Sequence, residues 1–423
     1  MLKLAIEGRA KDPAAALDAL RAQIEARTAD LAPTVDRVGE MLAITLHPAA
    51  PPVSIEGKGG RVLVEADTLA AGPGYHQELV SLFADAGEAA GIAWERFDDP
   101  SGYAEGRDRE KLLAAVRAWA ADTAQQILEL EKTGASGFSI LMPDGVEHAH
   151  GGLVATPLGP RDRAWVERVA RTPDTIAEVL PWWDEGRGAG YFRGLALALA
   201  WSEVRWRAPI DDNERRLADR VLTAIERAHG LDPAIELPWV EAAELYELVG
   251  EDSLRATRAK VLAEALRKKG GRRAPIGYRR GPVRVTLSGG WSIVIPGELA
   301  ERWEEEGTWV AWDGTRTLWV SSMTATLPPG AVEPENEVVI ADLPEIPGDG
   351  ELLRMERGPI AGHARFSTTV EEGQTLTVLR AHAVRGPNVA LGTVVLTNDG
   401  DRQWALETWG TLDHPGTTPT KAP

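Results

Sequence analysis

Metal-ligating side chains crowd together in this sequence at Glu147-His148-Ala149-His150, just after the turn-forming pair Asp144-Gly145. Alternate side chains of an extended strand share a face, so His148 and His150 could offer two imidazoles to one divalent ion, with Glu147 supplying the carboxylate of a metal-dependent enzyme. Such a centre needs a third protein ligand, and none stands at a recognisable spacing from this pair. A polar strand end or loop is the preferred reading, and no metal or other cofactor is expected. His47, His76 and His229 are too scattered to be recruited by spacing alone.

Other patterns that could carry chemistry fail on context. Gly186, Gly188, Gly190 and Gly194 would cradle a phosphate only between a strand and a helix. Here a helical, tryptophan-bearing segment precedes them, which predicts a turn and close helix packing instead. Gly57-Lys58 lacks the upstream glycine of a P-loop, and neither G-x-S-x-G nor H-E-x-x-H occurs. The chain has no cysteine, which removes disulfides, thiolate metal sites and cysteine nucleophiles and fits a reducing, cytoplasmic setting. The balance of these readings leans away from an enzyme.

Charge and aromatic content point toward binding. Against 46 Lys and Arg stand 64 Asp and Glu, and a net charge of -18 repels nucleic acid phosphates and anionic membranes while attracting a basic protein. The cations Arg267, Lys268, Lys269, Arg272, Arg273, Arg279 and Arg280 form a local exception. No aromatic residue interleaves with them before Tyr278, so they read as a helix C-terminal complement and a solvated linker. Fifteen tryptophans against five Phe and five Tyr make tryptophan the dominant aromatic. Trp182, Trp183, Trp309 and Trp312 are the candidate interface anchors. Trp309 and Trp312, three apart, fall on opposite faces of a regular strand, although burial of both remains the favoured reading.

These residues must be positioned by more than one core, because 423 residues exceed the roughly 250 to 300 that one core serves. The patterning predicts a multidomain α+β protein. Residues 1–155 form an N-terminal α/β sheet domain and 156–269 a helical region. A basic linker spans 270–281, an antiparallel domain with few helices spans 282–413, and 414–423 is a flexible tail. Within the first domain, Val53 to Ile55 and Arg61 to Glu65 flank a turn at Gly57 to Gly60, Phe138 to Met142 is a further strand, and a helix with apolar period 3.6 covers Asp108 to Lys132. In the last, a short helix is expected at Glu298 to Glu306, and strands at 336–340, 374–384, 389–397 and 403–411. Gly194 to Trp201 is too short to span a bilayer and reads as a buried helix, and Met1 to Arg9 shows no signal-peptide pattern.

The region 282–413 resembles the PsbP-like and DcrB-like group of small antiparallel α/β domains. The resemblance rests on Trp291-Ser292-Ile293-Val294-Ile295-Pro296, the strand Leu318 to Ser321, and Asp401-Arg402-Gln403-Trp404-Ala405-Leu406 with Trp409. It implies a platform for binding proteins, secretion adaptors among them, and no catalytic residues. Gly72-Pro73-Gly74-Tyr75-His76 and Pro157-Leu158-Gly159-Pro160 resemble stretches of bacterial proteins of uncharacterised function. The expectation is a non-enzymatic bacterial protein-binding protein, a toxin immunity protein or a secretion adaptor. A metal-dependent enzyme using Glu147, His148 and His150, or a structural scaffold of a larger assembly, is the alternative.

Overall fold

The computed structural model describes residues 2–31, 33–143, 145–269, 275–304, 307–326, 332–348 and 350–415. Asp144, residues 270–274 of the basic linker (Arg272 and Arg273 among them), residues 305–306 and the tail beyond 415 lie outside the described residues. The chain is a multidomain α+β protein. It divides into two compact units, one of residues 1–144, 150–204 and 211–277, the other of 145–149, 205–210 and 278–423.

The first unit opens with an antiparallel sheet built from β1 (Lys3–Arg9), β2 (Thr34–Val38), β3 (Met41–Thr45), β4 (Val53–Lys58), β5 (Arg61–Asp67) and β6 (Ala93–Asp98), in the order β2-β3-β4-β5-β1-β6. Strict alternation puts Leu4, Ile6, Leu42, Ile44, Val53, Ile55, Val62 and Val64 on one buried face. Helices α1 (Pro13–Arg27) and α2 (Pro73–Ala89) pack against the sheet, α1 on β4 and β5 and α2 on β6. A single turn, α3 (Tyr103–Gly106), leads to α4 (Arg109–Lys132), which buries Leu112, Leu113, Val116, Ala120, Ala124 and Ile127 at the expected helical period. Two short strands follow, β7 (Phe138–Ser139) and β9 (Val154–Ala155); β8 (Val146–His148), between them in sequence, belongs to the second unit. The strand expected at Phe138 to Met142 is thus reduced to two residues. It pairs in parallel with β9 and does not join the six-stranded sheet, because the chain turns at Leu141, whose φ is +59°.

The rest of this unit is helical: α5 (Arg163–Arg171), α6 (Ala189–Ser202), α7 (Asp212–Leu231), α8 (Trp239–Leu248) and α9 (Leu254–Lys268). Asp211 caps α7 by accepting from the Glu214 N–H at 2.8 Å, as the spacing of these residues predicts. Helix α6 is buried from Tyr191 to Ala200 on nearly every side. Gly194 is required there, since a Cβ at that position would lie 1.8 Å from the Pro181 carbonyl oxygen. The glycine cluster therefore serves turn formation and close packing.

The second unit contains β10 (Pro282–Thr286), β11 (Ser292–Pro296), β12 (Ala300–Trp303), β13 (Trp309–Trp312), β14 (Arg316–Thr324), α10 (Asn336–Asp342), β15 (Leu352–Arg357), β16 (Ile360–Glu371), β17 (Gln374–Arg385), β18 (Asn388–Leu396) and α11 (Arg402–Trp409). A three-stranded sheet runs β11-β10-β8, and a seven-stranded antiparallel sheet runs β12-β13-β14-β18-β17-β16-β15. Their shared core includes Val283, Ile293, Trp291, Trp309, Leu318, Leu379, Val394 and Trp409.

Three local expectations reverse in this unit. The helix expected over Glu298 to Glu306 is strand β12 in its described part, because pairing with β13 outweighs helix propensity. The apolar run Val338-Val339-Ile340 looks like a strand by its β-branched residues, yet it lies in helix α10, which packs over β16 and β17. The strand expected at 403–411 is helix α11: Ala405, Thr408 and Trp409 are buried at helical spacing. Gly392 on β18 makes room for that helix, since a Cβ there would fall 2.2 Å from the Trp409 ring.

Candidate functional site

The Glu147-His148-Ala149-His150 segment does not form the shared face its spacing suggests. Strand β8 ends at His148, which belongs to the second unit, whereas His150 belongs to the first. Within β8, Glu147 lies opposite Arg284 on β10, 3.9 Å from its guanidinium, and is largely exposed. The His148 ring stacks on Tyr278 with centroids 4.8 Å apart. His150 Nδ1 accepts from the Gly152 N–H at 3.3 Å, and burial lowers its pKa. Among the described residues no group of three His, Cys, Asp or Glu is arranged to hold a metal ion.

Two of the four tryptophans singled out by sequence are closed core residues. Trp182 is 0% exposed, donates from Nε1 to the Gly186 carbonyl at 2.9 Å and packs on Tyr191. Trp309 is 1% exposed and lines the core of the second unit. Trp183 and Trp312 are half-buried. Trp309 and Trp312 do occupy opposite faces of β13, and Arg302 lies over the outward Trp312 ring at 5.2 Å. Trp303, on edge strand β12, is 51% exposed. Sequence reasoning missed it because the segment was read as a helix.

Two polar centres of the first unit are sealed. In one, Thr68 Oγ1 meets His76 Nδ1 at 2.9 Å and His76 Nε2 meets Asp99 Oδ2 at 3.1 Å. Asp99 also accepts from the Ser101 hydroxyl and from the Ser101 and Ala104 backbone N–H groups. Burial pushes the Asp99 carboxyl pKa up, but His76, Ser101 and Ala104 together outweigh it and hold it below the usual carboxylate range. The order hydroxyl, imidazole, carboxylate is that of a hydrolytic relay. Thr68 and His76 are both 0% exposed, however, so no substrate carbonyl reaches the hydroxyl. The network ties the β5–α2 connection to the segment after β6.

In the second centre, His47 Nδ1 accepts from the Ala49 N–H at 3.2 Å, which places the ring proton on Nε2. That Nε2 and the Tyr75 hydroxyl are buried without a hydrogen-bond partner among the described residues. The rings of Tyr75, Trp182 and Tyr191 surround the imidazole, each centroid 6.2 Å away. Burial, reinforced by Arg220, pushes the His47 pKa down to about 3.

Helix α10 and the segment after it stand over the outer face of the seven-stranded sheet and leave a cleft of about 440 Å³. Ile340, Leu343 and Leu352 give it apolar walls, and Arg354, His363 and His382 contribute its polar row. Strand register sets that row: Arg354 on β15 lies opposite His363 on β16, and His363 lies opposite His382 on β17. The two imidazoles are 5.4 Å apart. His382 is 5% exposed, and its Nε2 has no hydrogen-bond partner among the described residues. Burial, then the neighbouring His363, lowers the His382 pKa to about 4; burial, then Arg354, lowers that of His363. No sequence motif announces this pair, because the two histidines are separated by a hairpin and only the register brings them together.

No protein-family model matches the sequence, and no curated protein does. Among solved structures, a crystal structure of a protein from Bacteroides thetaiotaomicron VPI-5482 is similar over 33% of this chain at 15% identity, with a TM-score of 0.26. The similar stretch covers 50% of that protein, so the match spans about half of its length.

Proposed function

We propose that this protein acts by binding another protein, and that the β12 edge of the second unit is the surface that does so. The observation that carries this reading is Trp303, half-exposed on a strand that, among the described residues, pairs on one side only, with β13. An edge strand offers unpaired backbone N–H and C=O groups to an extended partner segment, and an exposed tryptophan supplies the apolar anchor typical of interface hot spots. Glu298 and Glu304 flank the strand but pair with Arg316 and Arg302, so it is the net charge of -18 that favours a basic partner. A non-enzymatic role agrees with the sealing of Thr68, His76 and Asp99 away from solvent. The PsbP-like and DcrB-like resemblance of 282–413 belongs to the same reading, and within it an immunity protein or secretion adaptor is the role we favour.

The test is capture from the native cell with the full chain, run beside Trp303→Ala. A basic protein held by the wild type, released by raised salt and lost with the variant, supports the proposal. A captured set unchanged by Trp303→Ala overturns it.

A further inference from the structure

The cleft beneath α10 lies toward the β15 edge of the seven-stranded sheet, at the opposite end of the strand order from β12. Its polar row is unevenly committed. Arg365, a neighbour in the lining, donates to the Ile346 carbonyl at 2.9 Å and pairs with Glu345 at 3.3 Å. Arg354 makes no hydrogen bond or ion pair with any described residue. His382 Nε2, closed from solvent, likewise lacks a partner. With His382 closed off, Arg354 and His363 are the groups of the row that a ligand reaches. The cleft's volume falls within the range of roughly 300 to 1,000 Å³ typical of small-molecule sites, and its mixture of apolar walls with a few convergent polar groups is their usual chemistry.

We infer that this cleft binds a small organic acid with an apolar body, whose carboxylate is taken by Arg354 and His363. The sign of the ligand follows from the row. Guanidinium pairs with carboxylate in a bidentate, charge-assisted geometry. Three carboxylates share the lining: Glu345 is engaged by Arg365, Glu337 is exposed on α10, and Glu356 lies two residues from Arg354 on the same face of β15, so the ligand's carboxylate is held on the His363 side of Arg354. Ile340, Leu343 and Leu352 would then cover the apolar body. His363, between the guanidinium and the buried His382, supplies a second polar contact to the carboxylate.

Octanoate, titrated into the full chain by calorimetry and followed by NMR of the histidine rings, tests this site. We expect one octanoate per chain, joint shifts of the His363 and His382 ring signals, no comparable uptake of octylamine, and at least tenfold weaker binding in Arg354→Gln. Arg354 is exposed, so the variant leaves the core untouched. Absence of octanoate binding, binding indifferent to Arg354→Gln, equal binding of octylamine, or heat without shifts at both histidines overturns the inference. Trp303→Ala, which should leave octanoate binding intact, keeps this result separate from the test of partner capture.

Discussion

The two units use buried histidines in opposite ways. In the first, His76 is satisfied on both nitrogens and His47 is ringed by aromatic side chains, and both are inaccessible. In the second, His363 and His382 lie in a register-defined row at an open cleft, beside a guanidinium with no partner among the described residues. The difference shows that a polar side chain inside a fold is a site only where space and an uncommitted charge accompany it. A sequence motif reports neither.

The largest effect that would sharpen this contrast is expected at Asp99. Asp99→Ala strands His76 and the donors of Ser101 and Ala104 in the interior, and losing one partner of a buried pair costs about 3 to 5 kcal/mol. Urea unfolding of the variant should show a loss of this size, and a loss below about 1 kcal/mol would break the claim that this network holds the first unit together.

Next in size is Gly392→Val. Its side chain collides with Trp409, and overpacking of a core costs roughly 1 to 3 kcal/mol. The loss should appear in thermal unfolding of the second unit.

Acid should destabilise both units through their histidines. His47 and His382 have folded pKa values pushed below the ordinary histidine value of 6.5, so the unfolded chain takes up protons more readily below that point. The associated stability is fully present above pH 6.5. It falls as pH drops through 6 and 5, until about pH 4 for His382 and about pH 3 for His47. Asp99, with its pKa depressed, adds a further loss once pH passes below its ordinary value of 3.8. Unfolding free energy measured from pH 7 to pH 4 should therefore decline, and less steeply in His382→Gln. A flat profile would break the account.

The smallest effect on stability is expected at the open surfaces. Arg354→Gln and Trp303→Ala should change unfolding free energy by no more than about 0.5 kcal/mol, the usual range for surface positions, while altering binding. A large stability loss in either would mean that the residue belongs to the core arrangement.

Much of the fold was legible in the sequence where periodicity and punctuation agreed. The hairpin of β4 and β5, the long helix α4 and the buried helix α6 all follow from apolar spacing with turn or capping residues. Misreadings fell on short segments at 298–306, 336–340 and 403–411. Propensity there is weak, and the deciding contacts come from strands or helices distant in the chain. For the sites, the opposite faces of Trp309 and Trp312 were readable from strand alternation. The separation of His148 from His150 was not, since it depends on where β8 stops pairing with β10.

By itself, then, the sequence determined the α+β multidomain character, the acidic charge, the absence of thiol chemistry and the principal apolar faces, because these depend on composition and local period. Tertiary structure alone decided which polar groups are sealed and which are open. Register set Arg354, His363 and His382 in one row, and sheet order left Trp303 on an edge. Both are long-range pairings, and no local spacing of residues encodes them.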